Sequence, residues 1–244
     1  MKIGILGYGE IGSSIEKIYK DFEGYEIKIK DLERNDGFEG IEILNICMPF
    51  DETLIEVVSK EIKKFKPRLT IIHSTIAPET TSKIKDLVPE ECDIVHSPVR
   101  GVHPELRKGI KTFVKYIGGD TEEGRNEAKK HLENLGINVK VFDKSLTTEL
   151  GKLLDTTYYG VAIAWHGEMK KLCDKYKVNF EEISTDFNKT YNEGYKKLGK
   201  ENVIRPVLFP PENNKIGGHC IITNAKLLSK YFDSEALDLI FKYS

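Results

Sequence analysis

No apolar run in the sequence is long enough to cross a bilayer; the most apolar windows, 41–50 and 158–165, fall well short of the ~20 residues a spanning helix needs. Paired cysteines are missing too. The four present, Cys47, Cys92, Cys173 and Cys220, are widely scattered with no Cys-x-x-Cys. That excludes a zinc pattern or a secreted disulfide framework and predicts a reducing compartment, the cytoplasm. Neither sign of charge dominates: 37 Lys and Arg face 39 Asp and Glu, a formal net charge of −2. A general attraction to nucleic acid or to a membrane surface is therefore not expected. No His, Asp and Glu group has ligand spacing, so no metal is expected either. Internal repeats and low-complexity tracts are absent. A strand-like run begins at Lys2, which leaves no room for a signal peptide.

What is there suits a soluble, ordered protein of two modest domains: 244 residues, of which 39% are hydrophobic and 31% charged. The first half alternates β-branched runs (2–6, 26–30, 42–47, 70–73 and 92–96) with amphipathic helical stretches at 11–22, 52–65 and 79–87. Such alternation predicts a parallel sheet with helices on both faces. After Gly109 the pattern gives a strand at 112–117, a helix at 122–135 and a strand at 138–142. From Leu146 the chain reads as helical. Leu150, Leu154, Val161, Trp165, Met169, Leu172 and Tyr176 recur at roughly helical spacing, which predicts one buried stripe. Gly151, Gly160 and Gly167 interrupt it and are tolerable where another group packs close. The Pro-rich stretch 205–211 and the loop 212–218 break the pattern, and a last helix is expected from about Asn224.

Gly7-Tyr8-Gly9-Glu10-Ile11-Gly12 is a G-x-G-x-x-G that follows a predicted strand and opens a predicted helix, the context its chemistry requires. Gly7 permits the tight turn, Gly9 lets a pyrophosphate approach the backbone, and Gly12 allows close packing of helix on strand. The helix N-terminus offers N–H groups and the positive end of its dipole. Asp31, at the end of the second strand, suits the two ribose hydroxyls and repels a 2′-phosphate, which argues for NAD; Arg34, three residues on, argues the other way. The expected class is α/β: an N-terminal Rossmann dinucleotide-binding domain over residues 1–145, then a mainly α-helical substrate and dimerisation domain over 146–244.

Further segments resemble one superfamily, the 6-phosphogluconate and 3-hydroxyisobutyrate dehydrogenases together with the UDP-glucose/GDP-mannose dehydrogenases. Cys47-Met48-Pro49 resembles the family's strand end beside the adenosine, and 73–81 (HSTIAPETT) the Ser-Thr-x-x-Pro-x-Thr stretch near the nicotinamide. Ser97-Pro98-Val99-Arg100 falls where the family has a substrate loop, and Tyr116-Ile117-Gly118-Gly119 resembles the strand after it. Glu149-Leu150-Gly151-Lys152 looks like the start of the interdomain helix that carries a catalytic lysine. Ile216-Gly217-Gly218-His219-Cys220 is similar to the nucleotide-sugar motif holding the nucleophilic cysteine. The resemblance implies Gly7, Tyr8, Gly9, Glu10, Ile11, Gly12, Asp31, Met48, Pro49 and Thr75 around NAD. It implies catalytic roles for Cys220, Lys152, Thr75, His219 and Asn224, a small-molecule substrate of the nucleotide-sugar kind, and a homodimer through the helical region.

This chain departs from that pattern. Val99 replaces a catalytic glutamate, Thr156 an expected Asn and Asn224 an expected Asp, and the sequence ends about 24 residues past Cys220, without the family's third, UDP-binding domain. It therefore reads as a truncated and divergent member. In the family mechanism an alcohol is oxidised twice, a thiolate holding the intermediate aldehyde. The Gly-Gly turn, His219 and a helix start would favour the Cys220 thiolate; a small buried packing residue is the bland alternative. Lys152 would donate to a reacting oxygen or a water, or else sit on a solvated face. Glu149, Thr148 and Thr156 beside it suggest a polar face. Thr75 would bind substrate or cap a loop, Arg100 could clamp a carboxylate or phosphate, and His96 and His103 could stand in for the lost base; for these, surface or loop residues are the bland alternative. Asn224 cannot act as a base at all. Three readings follow: a nucleotide-sugar dehydrogenase, a one-step 3-hydroxyisobutyrate-type dehydrogenase using Lys152, and a cofactor-binding protein without catalysis.

Overall fold

The computed structural model describes residues 1–102 and 104–244, with His219 described by its backbone alone. The chain divides into two compact units, Met1–Lys152 and Leu153–Ser244.

The first unit is built on eight strands: β1 (Lys2–Leu6), β2 (Glu26–Asp31), β3 (Arg34–Asn35), β4 (Ile43–Ile46), β5 (Leu69–Ile72), β6 (Asp93–His96), β7 (Lys115–Gly119) and β8 (Val139–Phe142). They form one sheet in the order β3-β2-β1-β4-β5-β6-β7-β8. β2, β1, β4, β5 and β6 run parallel; β7 is antiparallel to β6, and β3 turns back on β2. Central strands such as β4 and β5 are buried at every position, which is why they read as mostly apolar runs, broken by Asn45 and Thr70, rather than alternating ones. Helices α1 (Glu10–Tyr19), α4 (Leu106–Thr112) and α5 (Glu122–Asn134) supply Ile15, Ile18, Leu106, Ile110, Ala128 and Leu132 to the core on one face. α2 (Leu54–Phe65) and α3 (Thr80–Lys85) supply Leu54, Val58, Ile62 and Ile84 to a separate cluster.

The sequence pattern misses α4 and starts β7 three residues early. Leu106, Gly109 and Ile110 do point inward at helical spacing, but seven residues are too few for that period to stand out.

α6 (Ser145–Tyr176) is one helix of 32 residues, and the division between the two units falls within it. In the second unit Leu153 and Ala164 on α6 pack with Ile221, Ala225 and Leu228 of α8 (His219–Leu228), Leu237 and Ile240 of α9 (Glu235–Phe241), and Tyr243. α7 (Phe187–Lys197) follows a π-helical stretch at Glu181–Asp186. Two of the α6 glycines have a packing reason: a Cβ at Gly160 would lie 2.6 Å from Ile221, and one at Gly167 2.4 Å from the Tyr243 ring. The expected single last helix is two, α8 starting at His219 and α9 at Glu235. The expected stripe is not buried: Leu154, Trp165, Leu172 and Tyr176 are all about half exposed or more, and Leu153, Thr157, Gly160 and Ala164 form the inner face instead. Periodicity locates an apolar face of α6 but does not say which of its two turns inward. Among the described residues no helix is long and apolar enough to cross a membrane.

Candidate functional site

The glycine turn lies where the strand order reverses, between the C-terminal ends of β1 and β4, the place where open α/β sheets leave a crevice. Gly7 takes φ +90°, and a Cβ there would fall 2.5 Å from the Met48 backbone nitrogen. At Gly12 a Cβ would fall 2.1 Å from the Gly7 carbonyl oxygen. Both residues are glycine because the chain itself leaves no room. Gly9 is different. Its φ of −71° is open to any residue, and nothing lies within 4 Å of where a Cβ would be. Gly9 is also the N-cap of α1, and no side chain caps that end. No contact among the described residues demands glycine there.

Asp31 stands at the exposed end of β2. Its carboxylate accepts from the Tyr8 N–H of the turn and, at 2.7 Å, from the Leu32 N–H. The Tyr8 hydroxyl donates to Glu16 at 2.6 Å, a bond that holds the phenol's pKa above its ordinary value. Glu10 and Ile11 open α1 beside it. Past β4, Met48 is partly buried and Pro49 exposed, and the Met48 carbonyl accepts from Ser74 Oγ at 2.6 Å. Thr75, partly buried, follows on the loop after β5. The turn, the end of β2 and the loops after β4 and β5 thus bring the sequence-picked dinucleotide residues to one edge of the sheet.

The polar face on α6 is largely consumed within the first unit. Glu149 is fully buried and accepts from the Glu79 N–H (2.7 Å), the Thr81 N–H (2.9 Å) and the Thr81 hydroxyl (2.6 Å). It caps α3 from another element. Burial raises its pKa, against the pull of those donors. His96, also fully buried, bonds the Ser74 carbonyl through Nε2 (3.1 Å) and Thr148 Oγ1 through Nδ1 (2.9 Å). A carbonyl only accepts, so Nε2 carries the proton and Nδ1 accepts from Thr148. Burial pushes His96 down to about 3. Both nitrogens being engaged, His96 does not stand in for the missing base; His103 lies outside the described residues. Lys152 is partly buried, one turn on from Thr148 and Glu149.

The loop after β6 is fastened to β7. Lys115, which the sequence gives no reason to single out, is buried and donates to the Ser97 carbonyl at 2.6 Å; burial brings its pKa down to about 7. Ser97 Oγ donates to the Tyr116 carbonyl at 2.7 Å. The Arg100 guanidinium lies 4.8 Å above the Tyr116 ring, so the expected anion clamp is already stacked. Val99 is buried in the apolar core beside Leu106 and Ile110.

In the second unit Cys220 lies in the first turn of α8 and is exposed, whereas Cys47, Cys92 and Cys173 are buried. The bland reading of Cys220 as a buried packing residue does not hold. Gly218 is the N-cap, with φ +82°, and His219 opens the helix. Asn224 is buried and donates from Nδ2 to Thr156 Oγ1 at 3.2 Å. The two positions that depart from the expected Asn and Asp therefore touch each other.

Strand order and glycine turn together define a Rossmann-type α/β protein with a helical second unit. Comparison with known proteins narrows this. The sequence is 29% identical over 153 residues to a UDP-N-acetyl-D-mannosamine dehydrogenase of Methanococcus vannielii, covering 63% of this chain and 33% of that one. The fold matches UDP-N-acetyl-D-mannosamine dehydrogenase from Pyrococcus horikoshii with a TM-score of 0.80 at 21% identity, covering 100% of this chain and 68% of that one. It matches 3-hydroxyisobutyrate dehydrogenase from Mycobacterium tuberculosis with a TM-score of 0.70 at 16% identity, covering 98% and 91%. At those identities the two structural matches speak for the fold alone. No family model matches the sequence. The chain is thus similar in sequence to UDP-N-acetyl-D-mannosamine dehydrogenases and spans a third to a half of the length of the curated relatives it matches.

Proposed function

We propose that the chain is an NAD-dependent oxidoreductase that oxidises an alcohol carbon of a nucleotide sugar. The observation that carries this is Gly9: a glycine at an uncapped helix N-terminus, in a glycine-rich turn, that no contact among the described residues requires. The space a Cβ would fill is the space a pyrophosphate needs. The turn from Gly7 through Tyr8, Gly9, Glu10 and Ile11 to Gly12 would hold the phosphates. Asp31 would accept from the ribose hydroxyls, Met48 and Pro49 would border the adenosine, and Thr75 would sit toward the nicotinamide end. Held there, NAD would supply the hydride acceptor for oxidation of a carbinol carbon.

The remaining roles rest on the resemblance. The Cys220 thiolate would add its electron pair to the carbonyl carbon of the resulting aldehyde and hold it as a hemithioacetal. Lys152 would donate to a reacting oxygen or to a water. Asn224 would orient rather than act as a base, since an amide cannot take the proton.

A second reading, oxidation in one step with Lys152 as the main catalyst, is favoured by Val99 and Asn224. The first is an apolar core residue and the second an amide bonded to Thr156, so neither supplies a carboxylate for thioester hydrolysis. Counting NADH formed per substrate consumed, over a panel of nucleotide sugars and small hydroxyacids, separates the readings. About two per substrate supports the double oxidation through Cys220, and about one supports the single step. No turnover with any of them by a protein that binds NAD contradicts both.

A further inference from the structure

The sequence carries two opposed cues to cofactor choice, and the structure shows what becomes of the second. Asp31 is the carboxylate that suits a ribose diol. Arg34 is the nearby arginine that suits a 2′-phosphate. The two are cross-strand partners in the β2–β3 hairpin, so Arg34 is on the correct edge of the sheet. Its guanidinium is 5.6 Å above the ring of Tyr8, inside the glycine turn.

Two nitrogens of that guanidinium, Nε and Nη2, are already engaged. Nε donates to both carboxylate oxygens of Asp36 at 3.1 Å, and Nη2 donates to Oδ2 at 2.8 Å. Asp36 is itself held rigidly: its Oδ2 accepts the Ile29 N–H at 3.0 Å, and its own N–H donates to the Ile29 carbonyl at 2.9 Å. The Arg34 guanidinium and the Ile29 N–H keep the Asp36 carboxyl below the usual range, so it stays charged. A phosphate approaching Arg34 would have to displace a fixed, forked carboxylate and would meet its negative charge.

We propose that Asp36 is a cofactor-specificity residue: by binding Arg34 it withholds the guanidinium from a 2′-phosphate, so that the turn selects the unphosphorylated dinucleotide. This rests on the dinucleotide reading above. Asp31 disfavours the phosphate directly; Asp36 does so by engaging the arginine that would otherwise welcome it.

Titration of the full chain with NADH and with NADPH, followed by nicotinamide fluorescence, tests this. The wild-type chain prefers NADH. Asp36→Asn tightens NADPH binding about tenfold, the scale of one charge-assisted hydrogen-bonded contact released. It leaves NADH binding within about threefold, and adding Arg34→Ala removes the gain. Arg34→Ala alone, which does not depend on Asp36→Asn folding, leaves the preference unchanged because Arg34 is already sequestered. If Asp36→Asn leaves the NADPH to NADH ratio unchanged while melting cooperatively, the assignment is wrong. It is equally wrong if Arg34→Ala alone weakens NADPH binding. Wild-type chain that binds neither dinucleotide overturns the dinucleotide reading itself, an outcome distinct from the other two.

Discussion

Gly7, Gly9 and Gly12 are the same residue type with different reasons for being there. Two are fixed by backbone contacts inside the fold, and one by no contact among the described residues. All three glycines, with the strand and helix on either side, are legible in the sequence alone. Asp36 is not. Its importance comes from a two-residue strand folding back on β2, and no period or motif announces that. Cys220 falls between the two. Its motif is legible, but only the fold separates an exposed thiol at the start of a helix from the three buried ones. Burial pushes the Cys47 thiol well above its usual range, which makes it inert. Cys220→Ser is therefore expected to leave the melting temperature unchanged and to abolish turnover or stall it after one hydride. Lys152→Ala is expected to abolish turnover while Cys220→Ser changes little only if the single-step reading holds. Full double oxidation by Cys220→Ser would contradict the nucleophile assignment.

At the scale of elements, long periodic segments are readable from the pattern and short or two-faced ones are not. The strands β1 to β6 other than β3, and the helices α1, α2, α3 and α5, lie within a few residues of where the pattern puts them. α4 is too short, and α6 has apolar residues on two faces. The inner one packs on α8 and α9. The outer one presents Leu154, Tyr158, Trp165, Leu172 and Tyr176, at spacings of four and seven residues, to solvent. Exposed apolar residues lined along one helix face are costly for a monomer and useful at a self-complementary contact. The proposal of a homodimer through this face predicts a dimer in sedimentation equilibrium at micromolar concentration, and a monomer for Trp165→Glu. A monomeric wild-type chain would refute it. Glu149 teaches the complementary lesson. Spacing puts it on a polar face beside Lys152, and its partners there are indeed polar. That it caps α3, about seventy residues back along the chain, is a matter of tertiary packing.

Over the whole molecule, the α/β class follows from alternation alone, because a parallel sheet needs a helical crossover between strands. The titration of its interior does not follow from sequence, because it depends on burial. His96 is pushed by burial down to about 3 and His131 down to about 4, and His73 well below its ordinary value. In each case the folded pKa lies below the unfolded one. The unfolded chain then takes up protons below about pH 6.5 that the folded chain refuses. The contribution to stability is complete above that pH and is lost as pH falls toward 4. Lys115, lowered to about 7, acts in another window: the unfolded chain binds the extra proton between about 7 and 10.5, so stability rises with pH there. Unfolding free energy measured from pH 7 to 4 is expected to fall steeply. His96→Asn is expected to flatten that slope by about one proton, ~1.4 kcal/mol per pH unit. An unchanged slope in His96→Asn would show that His96 titrates normally in the folded chain.

The claim on which the rest stands is that the glycine turn holds a dinucleotide, and Gly9→Val addresses it most directly. With open space around that position, the variant is expected to melt cooperatively within a few degrees of the wild type, the N-cap exchange costing about 1 kcal/mol. It is expected to show no NADH binding in a fluorescence titration where the wild-type chain saturates. A Gly9→Val chain that binds NADH as the wild type does would contradict the assignment of the turn.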